Sequence, residues 1–156
     1  MTTPAAPSAT GSIRIDAAPE TVYALITDLS TLAELAEETT AMRWRRGDAA
    51  QPGAVFTGDN RHGRRRWSTT CTVAEAEPGR RFAFDVRTAI VPVARWAYEI
   101  TPTDDGCEVT ESTWDRRPPW IRGITGLVTG VSDRAAANTE HIRLTLGRLK
   151  QRAERR

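Results

Sequence analysis

Apolar side chains recur at steps of three and four residues through the last part of the chain, from about Ile121 to Ala153. The series consists of Ile124, Leu127, Val128, Val131, Ala135, Ile142, Leu146 and Leu149, and Asn138 occupies the one position where it calls for another apolar residue. This spacing predicts a long helix with one buried face. The face is too long for a short helix to cover, so we expect it to lie across a sheet.

The pattern near the N-terminus predicts a strand and then a helix. Ile13 and Ile15 alternate with polar residues, which is typical of a short half-buried strand over Ser12 to Asp16. Pro19 suits the first turn of a helix, where its missing N–H is not needed. The buried stripe of that helix is predicted to be Val22, Leu25, Ile26 and Leu29.

A second short helix is predicted directly afterwards. Thr31 and Glu34 have the three-residue spacing of a capping box, so we expect this helix to begin near Ser30. Leu32 and Leu35 would form its buried side.

From Ala41 the apolar period changes to two residues, and clusters of Gly and Pro punctuate the chain. The alternation predicts strands, and the clusters predict turns between them. No helical pattern interrupts these strands, so we expect antiparallel hairpins and an α+β fold. The predicted strands are Met42–Arg46, Ala54–Arg61, Arg65–Glu75, Arg81–Thr88, Ala94–Pro102 and Cys107–Asp115.

Length and composition limit the class of protein. A chain of 156 residues with 39% hydrophobic content suits one globular domain, and a net charge of +2 demands no acidic partner. Residues 1–11 are mostly Ala, Pro, Ser and Thr and are predicted to be a disordered lead, followed by a single domain over residues 12–156. The lead lacks the features of a signal peptide, and no run reaches the roughly 20 apolar residues of a membrane span. We therefore expect a cytoplasmic protein without a membrane span.

Cysteine and histidine usage bears on metal and redox chemistry. Cys71 and Cys107 have no CxxC spacing and fall on inward strand positions, so we expect reduced, buried thiols. His62 and His141 belong to no spacing typical of a metal site or a catalytic relay, and His141 is interpreted as a partly exposed residue of the helix surface. We predict no metal and no cofactor.

Arginine dominates the positive charge and forms a run at residues 61–66, interrupted by His62 and Gly63. Clustered arginines contact phosphates in nucleic-acid-binding proteins. Because His62-Gly63 is predicted to be a hairpin turn, we interpret the run as a solvated edge that discourages strand pairing, and we expect no nucleic-acid partner.

The order strand, helix, helix, six strands, long helix resembles the helix-grip fold of the START, Bet v 1 and polyketide cyclase/dehydrase superfamily (SRPBCC). One departure is that Leu32 and Leu35 stand where the short second helix of the family often carries aromatic residues. The resemblance implies a curved antiparallel sheet wrapped around the long C-terminal helix, with a cavity between them. The segments that carry it are Ile15–Tyr23, Asp28–Leu29, Pro52–Phe56, Val73–Phe84, Trp96–Ile100 and Gly106–Ser112.

Side-chain parity along the strands separates an inward from an outward face. The inward face is mostly large and apolar, but it also holds polar residues, each of which costs about 1 to 3 kcal/mol if it is buried without a partner. An apolar wall with a few polar groups is the usual composition of a small-molecule site. The predicted ligand-binding residues are Trp44, Phe56, Asn60, Trp67, Thr69, Phe84, Trp96, Tyr98, Glu111, Leu127, Val131 and Asn138.

The polar inward residues are also compatible with a filled core. In that interpretation Glu111 lies near a strand end and reaches solvent, Asn60 lies in a hairpin tip, and Tyr98 points its hydroxyl outward.

Two functions of different class follow for the cavity. The first is binding of a small hydrophobic molecule, such as a lipid, an isoprenoid or a polyketide-like aromatic. The alternative, which the resemblance implies, is a polyketide cyclase or dehydratase that uses Glu111 or Tyr98 as acid or base. A protein-interaction module that uses the exposed arginine face is a third hypothesis. The sequence leaves the ligand and the oligomeric state open.

Overall fold

A computed structural model of the chain describes residues 5–121 and 134–155. Seven strands form one antiparallel sheet in the order β1-β7-β6-β5-β4-β3-β2. The predicted α+β helix-grip fold, with two short helices after the first strand and a long C-terminal helix, is confirmed. The elements are β1 (Ala9–Ile15), α1 (Pro19–Thr27), α2 (Leu29–Leu35), β2 (Thr39–Arg46), β3 (Val55–His62), β4 (Arg65–Glu77), β5 (Arg81–Thr88), β6 (Val91–Pro102), β7 (Cys107–Asp115) and α3 (Arg134–Glu154).

Strand β1 begins at Ala9, three residues before the predicted start at Ser12, so residues 9–11 of the predicted lead belong to the sheet. Gly11 pairs with Glu111 across β1 and β7. A Cβ atom at Gly11 would lie 2.9 Å from Cγ2 of Ile142, so the small residue lets α3 approach the sheet closely. Small residues under a helix carry no alternating hydrophobic signal, which is why the pattern did not predict this part of the strand.

The predicted capping box at Thr31 and Glu34 is wrong. Helix α2 begins at Leu29, its N-cap residue is Asp28, and Thr31 lies inside the first turn. The Thr31 hydroxyl donates a hydrogen bond to the Asp28 carboxylate over 2.9 Å. The helix therefore begins one residue before the predicted start near Ser30, and Asp28 makes no side-chain capping hydrogen bond to the backbone of its first turn.

Strand β6 begins at Val91 rather than at the predicted Ala94. A register shift between Val86 and Arg87 lets Arg87 pair with Pro92, so the proline is accommodated at the irregular end of the ladder. Strands β5 and β6 are consequently joined by a turn of only two residues, 89 and 90.

Helices α2 and α3 pack chiefly on the two edge strands of the sheet, β2 and β1. Helix α3 packs chiefly on β1, with fewer contacts to β7, whereas α2 packs on β2 at the opposite edge. Arg148 of α3 donates hydrogen bonds to the carbonyl oxygen of Leu35 and to the Glu37 carboxylate, over 3.1 and 2.8 Å. Arg152 bonds to Glu34 over 2.8 Å. These bonds join α3 to α2 and to the residues that follow α2.

Cys71 and Cys107 are free and buried, as predicted. No helix among the described residues is long and apolar enough to cross a membrane.

Candidate functional site

A cavity of about 350 Å³ lies between the inner face of the sheet and the helices. Its walls come from β2 to β7, from α2 and from α3. The cavity occupies the space over the middle strands that α3 and α2 leave uncovered. Its volume falls within the usual range for small-molecule sites, about 300 to 1,000 Å³.

Most of the predicted ligand-binding residues face this cavity. They are Asn60, Trp67, Thr69, Phe84, Trp96, Tyr98, Glu111 and Asn138. Leu127 and Val131 lie outside the described residues. That these side chains bind a ligand stays a prediction.

Trp44 and Phe56 do not line the cavity. Phe56 is fully buried in the core, where its ring packs edge-on against Phe84 with the centroids 5.2 Å apart. The ring of Trp44 packs edge-on against Phe56, with the centroids 5.5 Å apart. The inward parity was correct, but Phe56 and Trp44 form a supporting layer beside the cavity wall, so their predicted place in the lining is wrong.

A polar network lines the cavity where β2, β3 and β4 meet. The side-chain amide of Asn60 donates to the Thr69 hydroxyl over 3.2 Å. Its carbonyl oxygen accepts from the Thr39 hydroxyl over 3.1 Å. Asn60 is therefore held in one orientation by its neighbours, and both of its polar atoms already have partners.

Glu111 and Tyr98 form the most deeply buried polar pair of the cavity wall. They are directly opposite each other on β7 and β6, and each is only 3% exposed. Both side chains are buried, so the alternative in which Glu111 reaches solvent and Tyr98 points its hydroxyl outward is wrong. Oε1 of Glu111 has no hydrogen-bond partner within residues 5–121 and 134–155.

Burial changes the acid strength of both groups. It raises the pKa of Glu111 to about 8, and the hydrogen bond with Tyr98 offsets only part of this effect. Burial, and then the neighbouring Glu111 carboxyl, raise the pKa of Tyr98 well above its ordinary value. The cavity therefore contains a carboxyl group that is protonated at neutral pH and an oxygen atom that is ready for a further hydrogen bond.

Helix α3 contributes a polar face that sequence analysis identified only in part. Asn138, His141 and Thr145 follow one another at steps of three and four residues, and all three line the cavity. His141 is partly exposed, as predicted, with 19% of its side chain accessible, but it also lines the cavity and faces Glu38. The signal was present in the sequence as a polar stripe next to the apolar stripe of Ile142 and Leu146.

Glu38 connects three parts of the structure at one side of the cavity. Nδ1 of His141 lies 3.6 Å from one of its carboxylate oxygens, and Nδ1 of His62 lies 3.6 Å from the other. The helix and the tip of the β3–β4 hairpin therefore meet over the start of β2.

A second ionic pair that sequence analysis missed lies near the end of β7. The guanidinium of Arg117 contacts the Asp115 carboxylate over 2.8 Å, and the Arg117 side chain is only 9% exposed. Both residues line the cavity. Within the described parts of the chain, no group of three or more His, Cys, Asp or Glu side chains is arranged to hold a metal ion.

A sequence model of the family described as "Polyketide cyclase / dehydrase and lipid transport" matches residues 6–154. The chain belongs to this family. Membership supports a hydrophobic ligand-binding fold, in agreement with the apolar cavity between sheet and helix. No curated protein sequence matches the chain.

Solved structures share the fold. The Polyketide_cyc-like protein Cgl2372 of Corynebacterium glutamicum is 28% identical, with a TM-score of 0.62 over 93% of this chain and 90% of that one. The di-domain ARO/CYC protein StfQ of the steffimycin biosynthetic pathway is 15% identical, with a TM-score of 0.71 over 93% of this chain and 50% of that one. The protein CV1439 of Chromobacterium violaceum is 15% identical, with a TM-score of 0.71 over 94% and 97% of the two chains. The likeness to StfQ and CV1439 concerns the fold alone.

Proposed function

We propose that the protein binds a small hydrophobic molecule with a polar end in the cavity between the sheet and α3. The observation that carries this proposal is the buried Glu111 carboxyl in an otherwise largely apolar wall, with one oxygen atom unpartnered among the described residues. A buried polar atom without a partner is costly, and a ligand that supplies a hydrogen bond removes the cost. Trp67, Phe84 and Trp96 would contact the apolar body of the ligand.

The ligand's polar end is expected to meet Glu111 and Tyr98 and to be uncharged or cationic. At neutral pH the Glu111 carboxyl is protonated, so it can donate a hydrogen bond to a hydroxyl or carbonyl oxygen. An anionic end would lose its hydration, and neither Glu111 nor Tyr98 offers it a positive charge.

Replacing Trp67 by alanine is expected to weaken ligand binding about tenfold or more, because a large apolar contact is lost. Tyr98→Phe is expected to weaken it by a smaller factor, because Glu111 loses its hydroxyl neighbour. Native mass spectrometry of the freshly purified protein identifies a co-purified molecule, and titration of the stripped protein then gives the affinity.

Matched controls are available outside the cavity. Trp114 is on β7, and its indole N–H donates to the carbonyl oxygen of Ala5 over 2.8 Å. Tyr23 is on α1 and does not line the cavity. Trp114→Ala and Tyr23→Phe should leave the affinity unchanged, and unchanged affinity in Trp67→Ala and Tyr98→Phe as well would contradict the proposed site.

A second candidate function is catalysis of a polyketide cyclisation or dehydration. The observation that favours it is the pKa of Glu111 near 8, which suits a general base close to physiological pH. Deprotonated Glu111 would remove a proton next to a ligand carbonyl, while Tyr98 would donate a hydrogen bond to the carbonyl oxygen. The ARO/CYC proteins StfQ and BexL have the same fold, which is compatible with this function.

The enzyme hypothesis predicts that Glu111→Gln slows cyclisation of a synthetic linear poly-β-ketone by about a hundredfold. The rate of the wild-type protein should rise through about pH 8 as Glu111 loses its proton. Full activity in Glu111→Gln would remove this residue from the mechanism and leave binding as the function of the cavity.

A further inference from the structure

One end of the sheet gathers features that the cavity alone does not explain. Thr70 of β4 and Arg87 of β5 form the last pair of their antiparallel ladder, so residues 65–69 of β4 lie beyond this pair in the direction of the β5–β6 turn. The last residue of β7, Asp115, pairs with Ala94 near the start of β6. The β3–β4 turn, the β5–β6 turn and the chain after β7 therefore lie at one end, which we call the open end.

The cavity reaches this end of the sheet. Thr88 and Val91 border the β5–β6 turn, and Arg117 and Ile121 follow β7; all four line the cavity. Thr88 is exposed, and the other three are partly exposed. The lining of the cavity is therefore continuous with the surface of the open end.

Two large apolar side chains stand exposed at the open end. Ile90 is 92% exposed, and Trp120 is 70% exposed. Ile90 directly precedes the lining residue Val91, and Trp120 directly precedes the lining residue Ile121. The backbone N–H of Arg116 donates to the carbonyl oxygen of Val93 over 2.9 Å, which holds the chain after β7 beside the start of β6.

The residues of the β5–β6 turn are not the types that its backbone conformation favours. Ala89 has a φ of 53°, in the left-handed region where Gly, Asn or Asp is preferred for a two-residue hairpin. Ile90, at the other turn position, is 92% exposed and so buries little apolar surface. Folding therefore does not explain the apolar tip.

The open end also carries a surplus of positive charge. Within residues 5–121 and 134–155, six exposed arginines at or next to this end form no ion pair. The aspartates nearby are engaged, since Asp85 bonds to Arg95 and Asp115 bonds to Arg117. The six arginines are Arg61, Arg64, Arg65, Arg66, Arg87 and Arg116.

We propose that the open end docks on an anionic lipid bilayer, with Ile90 and Trp120 inserted at the interface and the arginines against the headgroups. Exposed aliphatic and Trp side chains within a basic surface are typical of interfacial membrane contacts. A nucleic acid would use the arginines but not Ile90, which has no planar ring to stack on a base. The proposal rests on the proposed function, because docking there brings this end of the cavity to the bilayer, where a hydrophobic ligand resides.

Flotation with vesicles tests the proposal. The protein is expected to float with vesicles of equimolar phosphatidylcholine and phosphatidylglycerol, and to bind far less to phosphatidylcholine alone. Ile90→Ser and Trp120→Ser should each weaken binding to the anionic vesicles about tenfold, because an apolar side chain is lost from the interface. Ile90→Leu should bind as the wild type does.

Two variants that each remove one positive charge distinguish direct contact of the open end with the bilayer from general electrostatic attraction of the whole protein. Arg64→Ser, at the open end, should weaken vesicle binding about fivefold. Arg80→Ser removes the same charge from the exposed β4–β5 turn at the opposite end and should have little effect. Equal losses in the two variants would overturn the proposal, because they would indicate attraction without orientation.

Two further outcomes overturn the docking surface. One is a wild-type protein that does not bind anionic vesicles, whether or not it shifts the gel mobility of a single-stranded oligonucleotide. The other is undiminished vesicle binding by the Ile90→Ser, Trp120→Ser double variant. Titration of the cavity ligand in aqueous solution without vesicles is the independent measurement: if that titration still gives binding, docking has failed and the proposed function has not.

Discussion

Replacing Glu111 by glutamine is expected to make the protein more stable at pH 9. It should also remove the decrease in unfolding free energy that the ionisation of Glu111 causes as the pH rises. The folded protein holds a proton on Glu111 up to about pH 8, whereas the unfolded chain releases it near pH 4.5. Between these values the folded state binds one more proton, so wild-type stability falls as the pH rises, by at most about 1.4 kcal/mol per pH unit. The decrease ends once the pH passes the folded pKa.

The measurement is the free energy of unfolding of the two proteins in urea across pH 4 to pH 9. At pH 4 they should agree within about 1 kcal/mol, because glutamine resembles a protonated carboxyl group in shape and hydrogen bonding. At pH 9 the variant should be more stable by on the order of 3 to 5 kcal/mol.

The matched control for this variant is Glu108→Gln on the exposed face of the same strand. Its stability should follow the wild-type curve, since the side chain is in solvent. A wild-type minus Glu111→Gln difference that stays constant from pH 4 to pH 9 would mean that Glu111 is not held protonated in the fold.

Gly106→Ala is expected to destabilise the protein by about 2 to 4 kcal/mol, because no space exists for a methyl group. A Cβ atom at Gly106 would lie 2.1 Å from the carbonyl oxygen of Ile15 and 2.9 Å from the backbone nitrogen of Ala17. Both atoms belong to the backbone, so no side-chain rotation relieves the contact. The end of β1 would have to move away from β7, where Ile15 pairs with Cys107.

The same substitution at Gly147 is expected to stabilise the protein. Gly147 lies inside α3, and nothing lies within 4 Å of a Cβ atom built there. Alanine should therefore stabilise the protein by about 0.5 to 1 kcal/mol through helix propensity alone. Thermal and urea unfolding of the two variants give the comparison, and a Gly106→Ala variant as stable as the wild type would show that β1 can shift without cost.

The periodicity of the sequence was sufficient for the fold because each element has a strong local signal. Strands β5 and β7 have the predicted bounds, since their alternation is regular and a turn cluster precedes each of them. The start of β1 was missed where Ala9 and Gly11 are small because α3 packs on them. The requirement there comes from a partner more than 100 residues away, and a local pattern does not contain it.

Strand parity predicts which side chains face inward, but it does not distinguish inward residues that line the cavity from inward residues that are buried in the core. Parity correctly placed Tyr98 and Glu111 inward, but it also placed Phe56 inward, where the side chain is core and not lining. Whether an inward residue meets packed atoms or empty space depends on where the helices lie over the sheet. That placement follows from α3 resting on β1, which the sequence alone does not specify.

The cavity over the middle strands links the stability of the protein to whether a ligand is bound there. Phe84 and Trp96 line the cavity, and α2 and α3 pack chiefly on the edge strands β2 and β1, so an occupant would add apolar contacts to these two side chains. A ligand that binds only the folded state adds RT ln(1 + [L]/Kd) to its stability, about 2.7 kcal/mol at a hundred times Kd. The melting temperature of a preparation therefore measures how full the cavity is, and it should fall when bound molecules are extracted.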